Sequence, residues 1–172
     1  MAEAAEAIRW LDPVEMRAWR AVISTHHVLM ETLDSELMAA AGIGLAEYRV
    51  LVVLSEQDDH RARMTDLADW LQLSPSGLTR RLDTLVARGW VAREKCPSDR
   101  RSTYAVLTDV GLEELERAAP AHLEGVRSHF IDRLSREQLE ALADALGEVA
   151  NACMAKCEKA SPDGALAAEG HA

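Results

Sequence analysis

The sequence lacks any run of apolar residues close to the roughly 18 that are needed to cross a bilayer. Its acidic, alanine-rich first residues also lack the basic region and the apolar core of a signal peptide. We therefore expect a cytoplasmic chain with no membrane among its partners. Only three cysteines occur, too few and too widely spread for a disulfide framework, so we expect reduced thiols.

The short motifs that mark common catalytic sites are also absent from the sequence. It contains no glycine-rich phosphate loop, no nucleophile elbow, no His-Glu-x-x-His motif and no paired carboxylates in a plausible cleft. We therefore predict that the chain is not an enzyme, has no catalytic residues and needs no cofactor. A hydrophobic content of 48% in 172 residues favours one domain, or one domain with an attached module.

What the sequence does contain is an uneven distribution of charge. The formal net charge is -10, yet the segment from Ser76 to Tyr104 holds seven basic residues against three acidic ones. This segment therefore carries +4 and the rest of the chain -14. One basic segment on an acidic body is expected where a single surface meets a polyanion, and chance clustering of arginines is the alternative.

A long first helix is predicted over residues 13–40. Asp12 can act as N-cap, Pro13 suits the first helical position, and Glu15 completes a capping box. Gly42 supplies a stop. Residues spaced by three and four form one apolar stripe on this helix: Trp19, Val22, His26, Leu29, Leu33 and Leu37.

The central part of the chain, residues 45–108, predicts a winged helix that binds DNA. A helix over 45–56 is followed by a short strand in "RARM" and by a helix in "DLADWLQL" that Thr65 caps. Further along, "WVAREK" and "TYAVL" alternate well enough to pair as strands around a charged tip.

Another helix start lies between those helices and strands. Ser74 is the predicted N-cap and Pro75 the first residue of a helix that runs to Arg88 and stops at Gly89. Two helices joined by a short turn form a helix-turn-helix pattern. The helix from Pro75 is then the recognition helix, and the following hairpin is the wing.

Two more amphipathic helices are expected over residues 109–158. Thr108 caps the first of them, and Ser135 with Gln138 forms a capping box for the second. Residues 1–12 are expected to be flexible and residues 159–172 to form a disordered tail.

The three long helices from the two ends of the chain offer little core of their own. They can bury their stripes against a symmetric copy, so we expect a homodimer. The alternative is an intramolecular cap of three helices on the winged helix. The predicted fold class is mainly α with a small β-hairpin wing: a winged helix-turn-helix with N- and C-terminal dimerisation helices.

The predicted recognition helix has an apolar face that packs on the preceding helices and a polar face that can enter a major groove. Arginine can pair with guanine, hydroxyl groups can bond bases or phosphates, and glycine allows close backbone approach. A solvated polar helix face is the alternative. The candidate DNA-binding residues in this segment are Ser74, Ser76, Gly77, Thr79, Arg80, Arg81, Asp83, Thr84 and Arg88.

The charged tip of the hairpin supplies the second part of the predicted interface. A wing places its tip beside the recognition helix, within reach of the neighbouring minor groove. Arg101 is the candidate residue for contact with the minor groove, and Asp99 can orient a neighbouring guanidinium. An exposed ion pair worth about 0 to 1 kcal/mol is the alternative for Asp99. Arg100 and Ser102 complete the candidates in the wing.

The stretch "DRRSTYAVLTDVG" resembles the wing signature of MarR-type winged-helix regulators. That signature is Asp-x-Arg, a strand and Leu-Thr-x-x-Gly, carried here by Asp99, Arg101, Leu107, Thr108 and Gly111. "MTDLADWLQLSPSGLTRRLDTLVARGWV" is similar to the paired helices of that family, and the order of helices matches from about residue 13 to 158. The resemblance implies a homodimer on double-stranded, pseudo-palindromic operator DNA, usually a repressor released by a small molecule or by thiol oxidation.

Members of that family often bind aromatic or phenolic acids between the dimerisation helices and the winged helix. Candidates for such an effector pocket are Trp19, Ile23, His26, Met30, Tyr48 and Arg49. His26 interrupts an apolar stripe, where a polar ring needs a partner, and it could pair with a ligand carboxylate. A core histidine bonded to a carbonyl or to its dimer mate is the alternative.

Three other possibilities are open. A redox signal would use Cys96, where Lys95 could favour the thiolate, although an inert strand cysteine is the alternative. His27 and Glu31 are four residues apart, but two ligands fall short of the four that zinc wants, so no metal site is predicted. The winged helix could also be an adaptor that binds a protein instead of DNA.

Overall fold

The computed structural model describes residues 8–95 and 102–160, with side chains as far as residue 154. They fall into two compact units, one up to Val126 and one from Arg127 onwards. The helices in the described residues are α1 (Pro13–Ala41), α2 (Leu45–Ser55), α3 (Met64–Trp70), α4 (Pro75–Ala87), α5 (Asp109–His129) and α6 (Arg136–Ala160). The strands are β1 (Arg61–Arg63), β2 (Val91–Lys95) and β3 (Thr103–Leu107). The predicted mainly helical, winged helix-turn-helix class is confirmed.

Local capping sets both ends of α1, as predicted. The Asp12 carboxylate accepts hydrogen bonds from the backbone N–H of Val14 at 2.7 Å and of Glu15 at 2.9 Å. The Glu15 carboxylate accepts from the Asp12 backbone N–H at 2.8 Å, which completes the capping box. At the other end Gly42 has a φ of 69°, a left-handed conformation that glycine adopts without steric cost.

A sharp turn leads from α1 into α2. The Leu45 N–H, one of the unpaired donors at the start of α2, is satisfied by the Asp34 carboxylate of α1 at 2.7 Å. The two helices are bent by 81° relative to each other. Within the described residues no single helix is long and apolar enough to cross a membrane. Only α1 and α2 together, as a bent pair, have the length and composition of such a span.

The predicted cap at Thr65 is wrong. Helix α3 begins at Met64 with Arg63 as its N-cap, and the Thr65 hydroxyl instead donates to the Asp66 carboxylate at 2.9 Å. The reason is that β1 pairs with β3 as far as Arg63, and the chain then turns directly into the helix. No residue is left between strand and helix to act as a side-chain cap.

The sheet has the order β1-β3-β2, with both pairs antiparallel. Val91 lies opposite Leu107, and Ala62 lies opposite Ala105; all four are buried. One face of the sheet therefore joins the hydrophobic core. This core also takes fully buried side chains from three helices: Leu51, Leu54, Leu67, Leu78, Leu82 and Leu85.

A compact junction joins the sheet to α5. The Thr108 hydroxyl donates to the Gly89 carbonyl at 2.7 Å and accepts from the Gly111 N–H at 3.0 Å, as its predicted capping role requires. A Cβ atom on Gly111 would lie 2.0 Å from the Trp90 carbonyl oxygen. The glycine of the Leu-Thr-x-x-Gly pattern is therefore explained by packing, because only glycine lets α5 approach the Trp90 backbone this closely.

The unit from Arg127 onwards contains α6. Its predicted capping box is confirmed: the Ser135 N–H donates to the Gln138 side chain at 2.8 Å, and the Gln138 N–H donates to the Ser135 hydroxyl at 3.3 Å. The helix ends at Ala160, two residues beyond its predicted end. The rest of the predicted tail, like residues 1–7, lies outside the described residues.

Candidate nucleic-acid interface

Capping and burial together orient α4. The Ser74 hydroxyl accepts a hydrogen bond from the Gly77 N–H at 3.1 Å, and Pro75 occupies the first helical position. Leu78, Leu82 and Leu85 are fully buried in the core. Because these positions fix one face of the helix inward, the face opposite to them points to solvent.

Most of the predicted DNA-binding side chains of this segment lie on the solvent face. Gly77 and Arg81 are half-buried, and the Thr79 hydroxyl donates to the Pro75 carbonyl at 2.8 Å. A Cβ atom on Gly77 would lie 3.1 Å from the Ser74 hydroxyl, so a larger residue would crowd the cap. The exposed members of the predicted set are Ser74, Ser76, Thr79, Arg80, Asp83, Thr84 and Arg88.

The start of α2 borders this polar face. Arg80, Arg81 and Thr84 line a shallow depression together with Ala46 and Glu47. Three groups that can bond phosphates or bases therefore lie side by side, with one carboxylate at their edge. The sequence did not indicate that α2 would contribute to this surface.

Asp83 forms an ion pair within the protein. The Arg93 guanidinium of β2 donates to the Asp83 carboxylate at 2.7 Å and to the Thr79 carbonyl at 3.1 Å. Sequence reasoning missed Arg93 as part of this site. The alternation of β2 was the available signal, since it puts Arg93 on the same sheet face as the buried Val91.

Arg88 also has contacts within the protein. Its guanidinium donates to the Gly42 carbonyl at 3.0 Å and lies 4.6 Å from the ring centre of Trp90. Gly42 ends α1, so Arg88 connects the end of α4 to the end of the first helix. The predicted DNA contact of Arg88 stays a prediction.

The wing is described at its base. β2 and β3 pair as far as Lys95 and Thr103, and Ser102 is half-buried. On the outer sheet face the Arg61 guanidinium lies 4.3 Å from the ring centre of Tyr104, and Arg63 donates to the Tyr104 hydroxyl at 3.3 Å. These cations were not among the predicted site residues. Cys96, Asp99, Arg100 and Arg101 lie outside the described residues, and their roles stay predictions.

The predicted effector residues differ in their environment. Trp19 is 57% exposed and Ile23 is 50% exposed. His26 and Arg49 are exposed, whereas Met30 is half-buried and packs against the core. In the single chain His26 is therefore solvated and needs no partner of the kind expected from its apolar stripe.

Tyr48 is the buried member of that set, and its neighbour was not predicted. Its ring centre lies 4.7 Å from that of His122 on α5. Burial lowers the pKa of His122 and raises the pKa of Tyr48, so burial favours the neutral form of both rings. The Nδ1 atom of His122 is buried and has no hydrogen-bond partner among the described residues.

His27, Glu31 and Cys153 are the described residues that bear on a metal or a redox signal. His27 lies 3.6 Å from Glu31, but the described residues contain no group of three metal-ligating side chains. Cys153 is a free, exposed thiol on α6.

Comparison with known proteins places these features in a family. The profile of the MarR family matches residues 43–103, which run from the end of α1 to the start of β3. The chain is 31% identical to the HTH-type transcriptional repressor YetL of Bacillus subtilis over 111 residues. It is 30% identical to the transcriptional repressor MprA of Escherichia coli over 96 residues. The matches cover 63% and 55% of this chain, and the chain spans 66% and 54% of the length of these relatives.

Two solved structures match over more of the length. Sco3205 of Streptomyces coelicolor, a MarR family transcriptional regulator solved in complex with DNA, has a TM-score of 0.81 and 39% identity, covering 86% of this chain and 92% of that one. AbsC from the same organism, also a MarR family transcriptional regulator, has a TM-score of 0.81 and 38% identity, covering 86% and 99%. Both are regulators, which confirms the prediction that the chain is not an enzyme. The capped recognition helix, the sheet and the tight Gly111 junction thus occur in a chain that belongs to the MarR family of transcriptional regulators.

Proposed function

We propose that this chain is a sequence-specific regulator that inserts α4 into the major groove of double-stranded operator DNA. The solvent face of α4 is the observation that carries the proposal, because Arg80, Thr84 and Ser76 lie there opposite three fully buried leucines. The related Sco3205 was solved with DNA. The wing residues Asp99, Arg100, Arg101 and Ser102 contact the adjacent minor groove.

The protein acts as a homodimer on a pseudo-palindromic site. In a single chain, each unit exposes large apolar side chains to solvent. In the first unit Trp19, Val22 and Ile23 of α1 are between 45% and 57% exposed, and in the second Leu146 and Val149 are 41% and 59% exposed. A second copy covers these faces, and its twofold symmetry gives two half-sites about one helical turn apart.

Regulation is repression, relieved by an aromatic or phenolic acid. The effector site lies around Tyr48, and the other predicted lining residues are Trp19, Ile23, His26, Met30 and Arg49. The buried Nδ1 of His122, which has no hydrogen-bond partner in the described part of the chain, lies next to Tyr48 and supports a polar ligand group at this end of the site. A screen of aromatic carboxylic acids for loss of DNA binding tests this part. Release by peroxide or by a chelator, with no response to acids, would contradict it.

The DNA-binding proposal is tested with Arg80→Ala on fragments selected from the source genome. Because a bidentate arginine–guanine pair discriminates by roughly 1 to 3 kcal/mol, the variant should lose about 5- to 150-fold in affinity and relax base preference at one position per half-site. Arg136→Ala is the matched control, since it removes one positive charge from an 83% exposed side chain on α6. Equal losses in both variants, or equal loss on every operator variant, would contradict base readout by Arg80.

A further inference from the structure

The contact of Arg93 with α4 has a geometry that a simple surface ion pair lacks. Arg93 lies opposite the fully buried Ala105, on the sheet face that joins the core. Its side chain leaves this face at the edge of β2 and remains about one third exposed, at 32%. The two terminal nitrogens of its guanidinium donate to the Asp83 carboxylate at 2.7 Å and to the Thr79 carbonyl at 3.1 Å.

These two acceptors lie one helical turn apart on α4. The buried leucines orient α4 from the core side, and a single contact would add one fixed point on its outer side, whereas two contacts from one planar guanidinium hold this side along a line. The partners are exposed, and such pairs add little to global stability. The contact therefore matters mainly for the orientation of α4 relative to β2.

The same contact changes the charge on the solvent face of α4. Asp83 is the acidic side chain among the predicted DNA-binding residues of α4, and an unpaired carboxylate there would repel DNA phosphates. Pairing with Arg93 compensates its charge and holds one of its oxygens 2.7 Å from the guanidinium, although the side chain is 59% exposed. Arg80 and Arg81 are left as the cations of this helix that border the depression beside α2.

We propose that Arg93 is a positioning residue that holds the recognition helix at a set angle to the strands of the wing and keeps Asp83 out of base contact. The inference rests on the proposed DNA-binding function. Two separate parts of the protein, α4 and the wing, must fit neighbouring grooves at once, and the angle between them decides whether both can do so. Asp83 is then a partner of Arg93 and not a base-reading residue.

A double-mutant cycle on the full-length protein tests the inference. Arg93→Met keeps the aliphatic stem but removes the donors, and Asp83→Ala removes one of the two acceptors while the Thr79 carbonyl remains. Each single variant should weaken DNA binding by about 3- to 30-fold, which lies within the range of coupling between contacting residues. The double variant should lose no more affinity than the single variant that binds DNA more weakly. The slope of log affinity against log salt should stay that of the wild type, because no phosphate contact is lost.

The sign of the Asp83→Ala effect separates positioning from charge. Removing a negative charge near DNA should tighten binding if charge alone matters, whereas loss of the clamp weakens it. Asp69→Ala, an exposed acid on α3, is the matched charge control and should leave binding unchanged or slightly tighter. Tighter binding by Asp83→Ala, additive losses in the double variant, or a salt slope reduced by about 1 in Arg93→Met would overturn the inference.

A second measurement needs no DNA and so separates this inference from the proposed function. Hydrogen exchange of the backbone amides of α4 should become faster in both single variants while the midpoint of thermal unfolding stays near that of the wild type. Unchanged exchange in α4 would overturn the positioning role. Wild-type protein that retains no genomic DNA would instead overturn the proposed function, whatever the exchange result.

Discussion

The segment from Ile43 to Leu107 and helix α6 have similar amphipathic patterns but different environments. In the first, Leu51, Leu54 and Leu82 are completely buried within one chain. In α6, none of the described side chains is buried, and Val149 is 59% exposed. An apolar stripe therefore indicates a face suited to packing, but it does not indicate whether the same chain covers that face.

Helix α1 contains both situations within one continuous helix. Leu33, Leu37 and Ala41 near its end are buried, whereas Trp19 and Val22 earlier on the same stripe are 57% and 45% exposed. The boundary between the core of this chain and a face that the chain leaves exposed therefore falls inside a helix.

The largest effect is expected where the core is complete. Leu82→Ala should lower the free energy of unfolding by about 2 to 5 kcal/mol, because it removes buried methyl groups and leaves a cavity in a closely packed site. The loss should not depend on protein concentration. Chemical denaturation at two concentrations measures it, and a loss below 1 kcal/mol would contradict the packing described for α4.

Two glycines compare the regions more finely. Gly111→Ala places a methyl group against the Trp90 carbonyl and should cost about 1 to 3 kcal/mol. Gly147→Ala on α6 meets no described heavy atom within 4 Å, so the better helix propensity of alanine should stabilise by up to about 1 kcal/mol. Thermal unfolding of both variants measures the difference, and shifts of the same sign would contradict it.

The exposed face of α6 should respond through association instead of folding. Val149→Lys should remove about 1.5 kcal/mol of apolar burial per copy from the proposed dimer and add a charge there. Sedimentation should then show a shift to single chains, while the circular dichroism of the helices is retained. Glu148→Lys is a control of the same kind at a neighbouring polar position. Unchanged association in Val149→Lys would contradict a second copy on this face.

The smallest effect concerns His122. Because burial lowers its pKa in the folded chain, the unfolded chain binds more protons as the pH falls below about 6.5. The free energy of unfolding should therefore decrease on acidification. His122→Phe should reduce this dependence, as measured by chemical denaturation at several pH values. Identical pH profiles for His122→Phe and the wild type would show that this ring is not protected in the folded state.

Sequence reasoning succeeded where the chemistry is local and failed where distant residues meet. The caps at Asp12, Ser74 and Ser135 involve groups within three residues, and all three were predicted. The cap at Thr65 failed because strand pairing with β3, some forty residues later, sets the start of α3. The Arg93 clamp was missed for a similar reason, since its partners lie on another element.

The order of helices and strands and the solvent face of α4 follow from the sequence, because capping and periodicity act within a few residues. What individual cations do depends on which acceptors the folded chain brings to them. Arg88 bonds a carbonyl 46 positions earlier, Arg93 bonds Asp83 and Thr79 of α4, and Arg80 stays exposed on the solvent face of that helix. These arginines look alike in sequence, and they differ because each guanidinium bonds whatever acceptors the folded chain brings within about 3 Å of it.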